Sequence, residues 1–189
     1  MVDGDKLIGA LAVHLKSQNK LANDKVVATV MSNKGLEEYL KLHGLSLERS
    51  NVGDKYVLEV MKQVGSNFGG EQSGHIIFSD FAKTGDGLVS ALQAFAYMIS
   101  SNKKCSEAFN LFELYPQILE NIKISVKPPI EEIEGAKEML KEIEQAGMRH
   151  LVRYSGTENV IRILIEGKDK KVLREMMTKA TAFFKKALS

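Results

Sequence analysis

Cysteine is almost absent from this 189-residue chain: Cys105 is the only one, so no internal disulfide can form and stability must come from packing. Charge of one sign is missing too. The 26 basic and 24 acidic side chains leave a formal net charge of +2 and are spread along the chain. No block of like charge points to nucleic acid or a membrane surface, so any anion site must be local. There is no apolar run long enough to cross a bilayer, because the strongest candidate, Leu88 to Ile99, is short and contains Ser90 and Gln93. It reads as a buried helix. Repeats and low-complexity tracts are also missing. The chain opens on a polar segment rather than a charged leader with an apolar run, which together with the lone thiol gives the expectation of a cytoplasmic protein. What remains is an ordinary globular composition, 44% hydrophobic and 26% charged, sized for one large or two small domains.

Hydrophobic periodicity organises the first half. Leu7, Ile8, Leu11, Ala12 and Leu15 recur at helical spacing, and the run Val26 to Met31 is β-branched and apolar as in a buried strand. Ser32 and Asn33 are caps for a helix carrying Leu36, Tyr39 and Leu40, which Gly44 ends; Leu45 and Leu47 then alternate as a strand. A third helix puts Tyr56, Val57, Val60 and Met61 on one face. A glycine-rich turn, a short strand Ile76 to Phe78 and a long helix through Leu88, Leu92, Phe95 and Ile99 follow. This alternation predicts an α/β layer with mainly parallel pairing. A polar segment from Ser101 to Ser106 and a short amphipathic stretch through Phe109 and Leu114 lead to Pro116, placing a domain boundary near Tyr115 and dividing the chain into 1–114 and 115–189. In the second part Ile122, Ile124 and Val126 alternate as a strand that Pro128 and Pro129 break. Then come a helix from Ile133 towards Gly147, strands Arg149 to Tyr154 and Val160 to Glu166, and a helix burying Leu173, Met176, Met177, Ala180 and Phe184. That order predicts a small α+β layer, with two helices on one face of an antiparallel sheet.

Two segments carry residues suited to chemistry. In Gly69-Gly70-Glu71-Gln72-Ser73-Gly74-His75 the glycines allow a sharp turn while Glu71, Ser73 and His75 can converge, and that donor and acceptor set suits a polyol. A solvated glycine-rich hairpin is the alternative. In Arg153-Tyr154-Ser155-Gly156-Thr157-Glu158-Asn159, with Arg162 on the strand that leaves, guanidinium groups, hydroxyls and turn amides can meet at one anion, as phosphate binding requires. The alternative is an ordinary hairpin with Arg162 paired to Glu158 or Glu166. Lys123 and Lys127 read as solvated, and His14, His43 and His150 have no metal-ligand spacing.

Taken with Thr29-Val30-Met31-Ser32-Asn33, Val52-Gly53-Asp54-Lys55-Tyr56-Val57, Thr84-Gly85-Asp86-Gly87 and Tyr115-Pro116-Gln117, these loops resemble the α-D-phosphohexomutase superfamily over essentially the whole chain. Within it, Gly-Glu-Gln-Ser-Gly-His resembles the branch acting on glucosamine phosphates. The resemblance implies a truncated three-layer domain 3 in residues 1–114, lacking its first strand, and a TATA-binding-protein-like C-terminal domain in 115–189. It also implies that Glu71 and Ser73 contact sugar hydroxyls, with His75 as a proton carrier. Arg153, Ser155, Gly156 and Thr157 would hold the phosphate not being transferred, Arg162 supporting them and Lys55 a lesser contact. The family's phosphoserine and Mg²⁺ loops have no counterpart here, so the chain alone is expected to be inactive. By the same resemblance the substrate is a hexosamine phosphate of the amino-sugar metabolism that feeds cell-wall synthesis, and glucosamine 1,6-bisphosphate is the intermediate. Pairing of chains, through a homodimer or an exposed sheet edge, is a further expectation. The alternatives are the mannose- or glucose-phosphate branches and a non-catalytic sugar-phosphate module.

Two features depart from, or imitate, the family pattern. The phosphate loop often reads Arg-Pro-Ser-Gly-Thr-Glu-Pro, whereas Tyr154 and Asn159 stand here for both prolines, leaving the turn more freedom to lose on binding. Asp3-Gly4-Asp5 imitates a metal loop but matches the segment that starts the first helix, where carboxylates favour the dipole.

Overall fold

The computed structural model describes residues 2–189, which form two compact units, the first ending at Leu114 and the second running Tyr115–Ser189. In the first unit, α1 (Gly4–Ser17) precedes β1 (Lys25–Thr29), α2 (Lys34–Leu42), β2 (Ser46–Ser50), α3 (Asp54–Val64), β3 (Phe68–Gly70), β4 (Ile76–Phe78), α4 (Gly87–Ser101) and the short α5 (Cys105–Ala108). The four strands form one sheet in the order β2-β1-β3-β4, parallel except between β3 and β4. Because side chains alternate along a strand, β1 feeds both faces. Val26 and Ala28 join Ile8, Leu11, Leu36 and Leu40 of α1 and α2, while Val27 meets Val57 and Met61 of α3. The result is three layers, α/β/α.

The glycine-rich stretch is not all turn. Gly69 and Gly70 are in β3, paired to Val27 and Ala28 on one side and to Ile77 and Ile76 on the other. A Cβ on Gly70 would stand 2.8 Å from the His75 carbonyl oxygen, so the close backbone approach explains glycine in a strand. On α3 the inward face is Val57 and Met61, and Tyr56 is exposed. The larger difference concerns α4. Leu88, Leu92, Phe95 and Ile99, read as buried, are 58–81% exposed, and the inward side is formed by Val89, Ala94, Tyr97 and Met98. A 3.6-residue period shows that a helix has an apolar face; it does not show that the same unit covers it. Four of the exposed large apolar side chains of this unit thus lie along α4, while the sheet edges fall at β2 and β4. Among the described residues no helix is long and apolar enough to cross a membrane.

Asp5 locks the start of α1 to α2. Its side chain is fully buried, and its Oδ2 accepts a 2.7 Å hydrogen bond from the amide of Asn33, the residue that caps α2 by accepting from Gly35 N at 2.8 Å. Burial pushes the Asp5 carboxyl up to about 6, the Asn33 bond opposing only part of the effect.

The second unit consists of β5 (Gln117–Lys123), α6 (Ala136–Gln145), β6 (Arg149–Tyr154), β7 (Val160–Glu166) and α7 (Lys170–Ala187). The sheet is antiparallel in the order β5-β7-β6. Ile161, Ile163 and Ile165 of β7 pack with Met139 and Ile143 of α6 and Leu173, Met177, Ala180 and Phe184 of α7. Val126 lies beyond β5 and is exposed. Glu166, with no exposed surface, accepts a 2.6 Å bond from Arg149 Nη1, so this arginine and not Arg162 is its partner.

Two outcomes follow from these buried carboxylates. Because the folded pKa of Asp5 is raised, its contribution is full below the unfolded value near 3.8 and is lost as pH rises through about 6. Urea unfolding of Asp5→Asn against the wild type should therefore shift in the variant's favour by about 2–3 kcal/mol between pH 4 and pH 7.5; a pH-independent difference would refute the assignment. Arg149→Met, which strands a buried charge, should destabilise the second unit by about 3 kcal/mol, and adding Glu166→Leu should restore most of it. Equal stability of the single and double variants would count against that pair.

Candidate functional site

The sugar-type loop is the hairpin between β3 and β4. Glu71 N donates to the His75 carbonyl and Gly74 N to the Glu71 carbonyl, both at 2.9 Å, which closes the turn and presents its side chains outward. Beside it lies a cavity of about 360 Å³ lined by Asp3, Thr29, Met31, Val52, Glu71, Gln72 and Ser73. The Glu71 carboxylate is oriented by a backbone group: its Oε1 accepts a 2.9 Å bond from the amide of Gly53, at the start of α3. Gly53 has φ +124°, a conformation that side chains rarely adopt, and a carboxylate there also meets the positive end of the helix dipole. One carboxylate oxygen is thereby fixed while the other stays available to a ligand. Ser73 Oγ lies 3.3 Å from His75 Nδ1, so these two side chains form a pair.

Neither His75 nor Lys55 lines the cavity. Lys55 points to solvent, 4.0 Å from Glu59, with its ammonium 5.9 Å from the centre of the Tyr56 ring. Asp3, Thr29, Met31, Val52 and Gly53 are the contributors to which sequence reasoning assigned no part in the site. Several lie in segments that resemble the family, but no spacing reveals that α1, β1 and α3 bring them to one cavity. Gly4 belongs with them: a Cβ there would collide with the Gln72 carbonyl, so α1 can start against the loop only with glycine in that position.

The phosphate-type turn joins β6 and β7. Register places Arg153 directly opposite Arg162, two like charges side by side that an anion would relieve. Glu158 Oε2, 3.5 Å from Arg162 Nη2, offsets part of this, while the buried Arg162 Nε has no hydrogen-bond partner among the described residues. Ser155 is buried and its amide donates to the Val160 carbonyl at 2.8 Å, anchoring the turn. The amides of Gly156, Thr157, Glu158 and Asn159 donate to no acceptor within the described residues, and a Cβ on Gly156 would meet no heavy atom within 4 Å. Consecutive free amides beside open space and two arginines are an arrangement that can receive a phosphoryl group. The turn is braced from behind. Tyr154 Oη donates to the Pro128 carbonyl at 2.7 Å, and Lys127, read as solvated, donates to the carbonyls of Glu158 and Ser155 at 2.8 and 3.3 Å.

The residues present do not fit the Mg²⁺ of the family. Asp3 accepts the 2.9 Å bond from Asp5 N that caps α1, Asp5 faces the interior, and no group of three or more His, Cys, Asp or Glu among the described residues could hold a metal ion.

Comparison with known proteins agrees with this architecture. The family model for phosphoglucomutase/phosphomannomutase, alpha/beta/alpha domain III, matches residues 3–115, and that for the C-terminal domain of the same family matches 119–182. A phosphoglucosamine mutase of Nautilia profundicola is 65% identical over 189 residues, which are all of this chain and 43% of that protein. One from Aliarcobacter butzleri is 64% identical over 188 residues, again all of this chain and 42% of that protein. The chain thus spans less than half the length of these relatives. In fold it is similar to Aspergillus fumigatus N-acetylphosphoglucosamine mutase, solved with GlcNAc-6P and magnesium, at a TM-score of 0.76 and 18% identity over 99% of this chain and 44% of that one. With both family models matched in order over nearly its whole length, the chain belongs to the phosphoglucomutase/phosphomannomutase family, of which it carries domain III and the C-terminal domain.

Proposed function

We propose that this chain is the sugar- and phosphate-recognising part of a phosphoglucosamine mutase, which interconverts glucosamine 6-phosphate and glucosamine 1-phosphate. Residues 1–114 read the sugar and 115–189 the phosphate. The observation that carries the reading is the Glu71 carboxylate, held through one oxygen by Gly53 and lining the cavity with Ser73. An ionised carboxylate accepts strongly from hydroxyls, and an oriented one selects among them. The names of the relatives, at 64–65% identity, supply the branch of the family.

In this reaction the intermediate, glucosamine 1,6-bisphosphate, carries a phosphoryl group at each end, and the one not being transferred must be gripped in either orientation. Turn amides with Arg153 suit that task, because they grip phosphoryl oxygens without reading what the group is attached to. Ser155 and Thr157 add hydroxyl donors, and Arg162 lends its charge. His75, with Nδ1 engaged by Ser73, offers Nε2 as the atom for moving a proton to or from a sugar hydroxyl. Transfer itself needs a phosphoserine and a metal ion, which are expected from the part of the relatives that this chain does not span. This chain binds and orients.

Calorimetric titration with glucosamine 6-phosphate, glucose 6-phosphate and inorganic phosphate tests the division of labour. Arg153→Ala should weaken all three by roughly tenfold. Glu71→Ala should weaken the two sugar phosphates and leave inorganic phosphate unchanged. Loss of inorganic phosphate binding in Glu71→Ala, or retention of all three in Arg153→Ala, would refute it.

A further inference from the structure

We propose that Lys127 is a positioning residue of the phosphate turn, a role that rests on the reading of residues 153–159 as a phosphate site. Its ammonium bridges the two ends of the turn from behind, 2.8 Å from the Glu158 carbonyl oxygen and 3.3 Å from that of Ser155. In a trans peptide the carbonyl and the following N–H point in opposite directions. A cation that draws the Ser155 and Glu158 carbonyls to one side therefore turns the amides of Gly156 and Asn159 to the other, and these are the first and last of the four amides without an acceptor in the described chain. Lys127 does not touch the anion; it sets the direction of the dipoles that do.

The same segment holds the turn a second time, since the carbonyl of Pro128 accepts from the Tyr154 hydroxyl at 2.7 Å. Burial raises the Tyr154 pKa, which keeps the hydroxyl a donor. A proline in such a turn would limit backbone freedom through its ring. The strap Lys127-Pro128 thus restrains through hydrogen bonds a turn, Arg153 to Asn159, that has no proline of its own.

Lys127 is exposed, so replacing it leaves the core of the second unit intact. The test is titration of the 189-residue chain with inorganic phosphate, followed through the ¹⁵N–¹H shifts of Gly156 and Thr157, for wild type, Lys127→Met, Lys127→Arg and Arg153→Ala. Lys127→Met should weaken phosphate by roughly threefold to tenfold, and Lys127→Arg, which can also donate to two carbonyls, should recover most of it. The ratio between wild type and Lys127→Met should persist at 0.5 M NaCl, where an effect of distant charge is screened. Wild-type affinity in Lys127→Met, or a ratio that falls to one in high salt, overturns the positioning role while Arg153→Ala still reports on the site. If the wild type itself shows no saturable shifts at these amides, the phosphate reading fails and this proposal with it.

Discussion

A carboxyl group buried under the first turn of α1 sets where the walls of the cavity beside the β3–β4 loop stand. Asp5 reaches across to the Asn33 amide at 2.7 Å, and Asn33 in turn begins α2. This one bond joins residues 28 positions apart and fixes the β1–α2 turn against the start of α1. The neighbours of each partner are then in place: Asp3 on one wall of the cavity, Thr29 and Met31 on another, and Gly4 close enough to the hairpin loop for a side chain to be excluded. Burying a carboxyl raises its pKa and disfavours its charged form, a cost that the Asn33 hydrogen bond only partly offsets. The arrangement is a compromise between ionisation and position.

In the second unit the corresponding constraint is strand register. Antiparallel pairing of β6 with β7 puts Arg153 opposite Arg162 and Arg149 opposite Glu166. One pair attracts, with its carboxylate buried; the other repels and lies where the strands meet the turn. A one-residue slip would move every side chain of the slipping strand to the other face and scatter this pattern. The hydrophobic packing of Ile161, Ile163 and Ile165 against both helices is what prevents it. The placement of the turn and its two arginines therefore draws on the same core that stabilises the unit, without any arginine being part of that core.

Much of this is legible in the sequence. Leu7 to Leu15 marks α1 by period, Asn33 marks the start of α2, and the β6–turn–β7 segment is bounded where its apolar alternation stops. The two loops are recognisable because their residue types are unusual together. What escapes is whatever depends on a backbone group or on the outside of an element. The Gly53 amide that orients Glu71 has no side chain to advertise it, and the two residues are 18 positions apart. Gly69 and Gly70 look like turn because glycine in a strand is explained only by the atoms pressed against it. Leu88, Leu92, Phe95 and Ile99 have the period of a buried face, yet period is silent on what covers it. In the sequence Lys127 looks like any solvated lysine, because the carbonyls it meets are 28 and 31 positions away.

The most direct test of the central claim, that one loop reads sugar hydroxyls and the other reads phosphate, is a crystal structure of the chain soaked in glucosamine 6-phosphate. The account predicts that wherever ligand meets the β3–β4 loop, ring hydroxyls lie against Glu71 and Ser73. Wherever it meets the β6–β7 turn, phosphoryl oxygens accept from Arg153 and the amides beginning at Gly156. A phosphoryl group seated against Glu71, or a sugar ring at the turn with its phosphate in solvent, would contradict it.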